Sequence, residues 1–230
     1  MKIVATILCC VALSIQGSGQ KQLVLDAFKN HGLDPAILEP QSVQTPESCS
    51  YDLKVTTIST GKEKVVTAHH DADKTGDDRW SVQTVNGKSP NNAAIKAFRK
   101  EHGQPVRPST GIDEATLRID KETPTQLLIS YKVRTAELPS EAAFLKNCRI
   151  HLTINLETKR LEQMQTLNEE PVKIKIFTAE KLDLTVSYRY DEALHKYVSV
   201  REDLNLLIKL LGQLSPIETI SEYSNFSACK

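Results

Sequence analysis

The stretch Val198-Ser199-Val200-Arg201-Glu202-Asp203-Leu204-Asn205-Leu206-Leu207-Ile208-Lys209-Leu210-Leu211 decides how this chain folds. Its leucines invite a helical stripe, yet Val198, Val200, Leu204, Leu206, Ile208 and Leu210 share one parity while Ser199, Arg201, Asp203, Asn205 and Lys209 fill the other. A period of two belongs to a strand, whose successive side chains point to opposite faces. Leu207 and Leu211 interrupt the alternation and put apolar groups on the second face as well. A strand apolar on both faces is either covered twice or offers one face to something else.

The same period extends outward from this segment. Leu182, Leu184, Val186, Tyr188 and Tyr190 alternate upstream of it, and Ile217 to Phe226 form a last strand after it. Farther back, Ile150, Leu152, Ile154 and Leu156 alternate with Arg149, His151, Thr153 and Asn155, and Leu127, Ile129, Tyr131 and Val133 do the same. Leu161 to Leu167, Val172 to Ile176 and Thr116 to Ile119 add shorter strands. Tyr51, Leu53 and Val55 with Val65 to Ala68 read as a hairpin around Gly61-Lys62; Trp80, Val82 and Thr84 make a strand closed by the turn signal Asn86-Gly87. His69 to Asp78 reads as a polar, acidic loop.

Helical spacing is confined to three places. Leu23, Val24, Ala27 and Phe28 form a stripe over residues 21–31, stopped by Gly32 with Pro35 beyond. Ala94, Ile95 and Phe98 form another in a helix begun by Ser89-Pro90 and ended by Gly103 and Pro105, and Ser140 to Lys146 is a third, short one. Some nine or ten strands with two or three short helices make an α+β chain around a large antiparallel β-sheet. Residues 105–111 are the best internal linker, but they are short enough for a loop within one domain, so residues 20–230 are read as a single domain.

The first residues carry an address. Met1-Lys2 precedes an uncharged run from Ile3 to Ile15 and the small, polar stretch Gln16-Gly17-Ser18-Gly19-Gln20. This is the pattern of a signal peptide over residues 1–19, cleaved after Gly19. The apolar run is too short for the roughly 20 residues that span a hydrocarbon core. Cys9 and Cys10 lie in mid-run, not at its end, which argues against lipid attachment. The address is therefore periplasmic or secreted.

Removal of Lys2 leaves 28 basic against 29 acidic residues, which supplies no electrostatic reason to bind nucleic acid or an anionic membrane. Three cysteines remain, Cys49, Cys148 and Cys229; an oxidising compartment permits one pair among them, and spacing does not say which.

No catalytic or metal site and no cofactor site emerges from the residue pattern. His69-His70-Asp71-Ala72-Asp73 with Asp77 and Asp78 offers metal-ligand types without a chelating spacing. His102, His151 and His195 are isolated, and no serine or cysteine stands in a local nucleophile motif. A hydrolase would need a dispersed site joining one of these histidines to a carboxylate and a hydroxyl. The interaction candidates are apolar: Trp80, the single tryptophan, and the row Leu204, Leu206, Ile208 and Leu210.

The strand Arg79 to Val85, followed by Asn86-Gly87-Lys88-Ser89-Pro90 and a helix, with the aromatic ending Tyr223-Ser224-Asn225-Phe226, resembles a pattern in uncharacterised exported proteins of Gram-negative bacteria. An early helix followed by a long meander also resembles the outer-membrane lipoprotein carrier family. That resemblance implies a curved, half-barrel-like sheet whose concave face holds acyl chains. The expectation is an exported, non-enzymatic binding protein for a lipid or lipidated partner; an envelope protein-interaction or scaffold role is the alternative.

Overall fold

Cross-strand partners lie on the same face of a sheet, so a register traced from strand to strand shows which residues share a side. In the computed structural model, which describes residues 19–39, 49–103, 111–174, 177–210 and 212–227, one such row crosses ten strands. It runs Ile119, Ile129, Leu152, Met164, Val186, Glu202, Ser221, Val55, Val66, Val85. Eight of the ten are apolar, and this is the inner face of the sheet.

The strands are β1 (Ser50–Ser59), β2 (Lys62–His70), β3 (Trp80–Val85), β4 (Ile112–Glu122), β5 (Gln126–Val133), β6 (Cys148–Asn155), β7 (Arg160–Asn168), β8 (Val172–Ile174), β9 (Phe177–Asp191), β10 (Lys196–Leu210) and β11 (Gln213–Ser227). They form one open antiparallel sheet in the order β3-β2-β1-β11-β10-β9-β7-β6-β5-β4, with β8 pairing β9 off this path. β1 joins β11, so the two ends of the sheet-forming sequence meet in mid-sheet and the decisive β10 becomes a central strand. The architecture is the expected α+β one with a large antiparallel sheet, here of 11 strands and not closed.

Two helices cover the flanks of the inner face. α1, residues 19–31, buries Val24, Ala27 and Phe28 against Leu127, Ile129, Leu152, Ile154 and Leu161. Its stop is the one the sequence announces: Gly32 takes a left-handed φ of 63°, and Leu33 N–H reaches back to Phe28 O at 2.8 Å. α2 (Asn92–His102) lies over β1 to β3, with Phe98 buried beside Trp80, Leu53 and Val82. It is capped by Asn91, whose side chain accepts from Ala94 N–H at 2.9 Å, so Pro90 lies just before the cap instead of in the first turn. A third apolar cluster, around Cys148, Val172, Ala179, Leu182 and Ile208, lies on the same face.

Two register shifts correct the simple alternation of β10. Ser199 faces Tyr188 and Arg201 faces Ser187, which leaves Val200 as an extra residue. Val198 and Val200 therefore do not continue the Leu204 row; Tyr197 and Ser199 do. On β9 the extra residue is Glu180, since Leu207 faces Lys181 and Ile208 faces Ala179. The Asn168 side chain closes that bulge by donating to Glu180 O and accepting from Leu182 N–H. Other expectations also shift. His69 and His70 end β2 instead of opening a loop, and Thr116 to Ile119 is part of the longer β4. The segment 1–18, residues 105–110 of the linker, Ile176, Leu211 and Cys229 lie outside the described residues.

Cys49 is disulfide-bonded, whereas Cys148 is a buried free thiol that burial pushes up to about 11. Ser50 sits opposite Ser227, so β11 returns to the residue next to Cys49, two positions before Cys229 in sequence. Non-reducing proteolysis and mass spectrometry are expected to recover Cys49 in a disulfide-linked peptide, with Cys148 alkylated only after unfolding. Truncation of Phe28 to alanine should cost about 3–5 kcal/mol in a urea titration, because it empties the contact between α1 and the sheet. The exposed Leu23→Ala should stay within about 0.5 kcal/mol of the parent.

Candidate functional site

Between the two covered flanks, the inner face passes over β9, β10 and β11. Leu184 of β9 pairs Leu204 of β10, and Leu204 pairs Thr219 of β11; one step along, Leu182, Leu206 and Ile217 form a second row. Leu184, Leu204, Leu206 and Ile217 are half-buried, while Leu182 and Ile208 are buried. The principal contacts of α1 and α2 are with the sheet on either side, in separate clusters. The centre is an aliphatic strip between the two helical clusters, and Leu184, Leu206 and Ile217 are partly covered by packing against the third cluster, to which Phe144, Leu145 and Phe177 also belong. At its other end the strip turns aromatic and polar, with Tyr188, Tyr190 and Tyr197 around Ser199; the rings of Tyr190 and Tyr197 meet edge-on at 5.1 Å.

Of the sequence candidates, Leu204, Leu206 and Ile208 come together here. Leu210 continues the strand opposite Gln213, and its side chain lies outside the described residues. Trp80 is elsewhere, at the β3 flank. It packs edge-on against Tyr51 (5.8 Å) and Phe98 (5.4 Å), and its indole N–H donates to His102 O at 3.2 Å, which makes it the anchor of α2.

Leu207 faces the outer side of the sheet with Ile58 and Pro216, as its parity demands. These three, with Lys181, Glu218 and the Thr60-Gly61 turn, line a pocket of about 430 Å³, and Leu214 close by is 57% exposed. Both faces of β10 are therefore apolar, as the sequence indicates, but at different positions along the strand.

Most of the outer face is ionic. Arg201 pairs Asp203 at 2.8 Å and Glu222 at 3.4 Å, and Lys54 pairs Glu222 at 2.9 Å. Glu169 bridges Lys132 (2.5 Å) and Arg149 (2.8 Å), and their hydrogen bonds bring its carboxyl down to about 2.

The histidines sort by face. His69 points outward, its Nδ1 at 2.8 Å from Asp52, while the next residue, His70, points inward and stacks on Tyr51 with Nδ1 3.0 Å from Cys49 O. Neighbours on opposite faces cannot hold one ion. Among the described residues no three His, Cys, Asp or Glu side chains gather as metal ligands.

His151 does meet a carboxylate and a hydroxyl. Its Nδ1 is 3.0 Å from Asp120, which also takes hydrogen bonds from Arg118 and from Ser130. Ser130 is fully buried and directs its proton to Asp120, so no nucleophile–base pair forms. His195 is a left-handed residue in the β9–β10 turn, and His102 is stacked on Phe98 at 4.1 Å. Sequence reasoning missed the row Asp52, His69, Ser81, because it ended β2 too early; Ser81 lies opposite His69 on the exposed face.

These environments set the acid response. Burial between Phe98 and Trp80 lowers the His102 pKa, against an opposing pull from Glu101. The unfolded chain then binds a proton more readily than the native one, so stability falls as pH drops through about 6.5. For Glu169, with its pKa held down, the contribution is present above about 4.5 and is lost as pH falls towards 2; with a side chain 40% exposed, solvent screening leaves it on the order of 1 kcal/mol. Urea titrations across pH are expected to show two phases, the upper one flattened by His102→Gln and the lower one by Glu169→Gln.

No protein-family model matches this sequence, and no curated protein does either. Among solved structures, the chain is similar to a LolA superfamily protein from Nitrosomonas europaea at 8% sequence identity and a TM-score of 0.36, over 84% of this chain and 91% of that one.

Proposed function

We propose that this chain is an exported, non-enzymatic binding protein that holds the aliphatic chain of a lipid or lipidated partner on the inner face of its sheet. The observation that supports it most directly is the central strip: Leu184, Leu204, Leu206 and Ile217 stay half-buried on one face while the helices pack to either side. Apolar surface left between two walls gains by covering, at about 25 cal/mol for each Å² removed from water. Leu204, Leu206 and Ile208 form the floor, and Trp80 secures the α2 wall. The leader-like pattern of residues 1–19 supports a periplasmic or extracellular address within this reading.

The test is to purify the protein from its native envelope, extract it with organic solvent and analyse the extract by mass spectrometry, alongside titration with a fluorescent acyl probe. A co-purifying lipid and saturable probe binding are expected. Leu206→Arg should weaken the probe by tenfold or more, since a charge would enter the strip. No lipid in the extract together with no probe binding would sink the reading.

The outer pocket at Ile58, Leu207 and Pro216, beside exposed Leu214, favours a second reading: an envelope protein docking on that face. A photo-cross-linker at position 207 would trap that partner, whereas one at the buried Trp80 would not.

A further inference from the structure

The inner-face row that crosses ten strands carries one charged residue, Glu202 of β10. Its cross-strand neighbours are Val186 on β9, which is 4% exposed, and Ser221 on β11, which is 9% exposed; Glu202 itself is half-buried. The next row along the strip is Leu184, Leu204 and Thr219. The carboxylate thus stands where the aliphatic strip gives way to the end with Ser199, Tyr188 and Tyr190.

The chain around Glu202 does not neutralise it. Arg201 lies on the outer face, where Asp203 and Glu222 engage its guanidinium. No salt bridge or hydrogen bond joins the Glu202 carboxylate to another described residue. A half-buried carboxylate loses hydration when an apolar chain covers the strip, and an uncharged chain returns nothing for that loss. An anionic head would add repulsion. A cationic head returns both a Coulomb attraction and hydrogen-bond or close-contact partners, in surroundings where screening is weak.

We propose that the strip selects a cationic amphiphile: an aliphatic chain lying over Leu184, Leu204 and Leu206, with an amine or quaternary ammonium head against Glu202. This rests on the chain-binding reading above and adds the charge of the ligand to it. The opposite ordering, with an acid head at Glu202, would bring two carboxylates together beside Val186.

The full mature chain should be titrated calorimetrically with dodecyltrimethylammonium, dodecyl maltoside and dodecanoate, each below its micelle-forming concentration. The expected order of affinity is cation, uncharged, anion, with at least about tenfold between the first and last. Glu202→Gln, nearly isosteric, should collapse that spread while keeping the uncharged probe, and Glu202→Lys should reverse it in favour of dodecanoate. Thermal melts of each variant establish that it is folded. If the three probes bind alike to the parent, or dodecanoate binds best, the charge selection is overturned and chain binding survives. If none binds, chain binding itself fails and the selection with it.

Discussion

Everything in this molecule hangs on keeping one set of side chains on one face across ten strands. In a sheet, a slip of one residue moves a whole strand's apolar set to the other side. Here the apolar sets of β1 to β7 and β9 to β11 all arrive on the inner face, from Ile119 at one edge to Val85 at the other. That alignment is reached by correction. The extra residues Val200 on β10 and Glu180 on β9 reset parity where the sequence alternation would otherwise drift, and Asn168 holds the second bulge through backbone hydrogen bonds. The helices then need only small apolar faces, because the sheet presents them with surfaces already assembled.

The strand and helix pattern was largely readable from the sequence, since most strands alternate cleanly. β5 and β6 bury Leu127, Ile129, Tyr131 and Val133, and Ile150, Leu152 and Ile154, as their spacing demands. What could not be read was pairing. That β1 would join β11, making β10 a central strand, depends on long-range contacts that leave no local mark. Bulges were hidden for the same reason: Val200 looks like a member of an apolar row until the partner strand shows that it has no opposite residue. His69 and His70 were assigned to a loop because two histidines before an acidic run look polar. In fact one satisfies Asp52 outside and the other stacks on Tyr51 inside.

The binding candidates were legible in part. The leucine row of β10 stands out in sequence, and its two-sided apolarity is real, with Leu206 inward and Leu207 outward. Glu202 attracted no notice, since among Arg201, Glu202 and Asp203 it reads as one more charge on a solvated strand. Only the register separates it from its neighbours, whose charges pair on the opposite face. A chemically distinctive residue was concealed by being ordinary in composition and unusual in direction.

The sheet also remains open, ending at β3 on one side and β4 on the other, with a helical wall belonging to each flank. Because every wall rides on its own strands, bending the sheet across its width moves the walls towards or away from each other without breaking a ladder hydrogen bond. A closed barrel has a girth set by strand number and stagger. This architecture has no such fixed girth, so the spacing between its two helical flanks is set by the bend of the sheet and not by strand number.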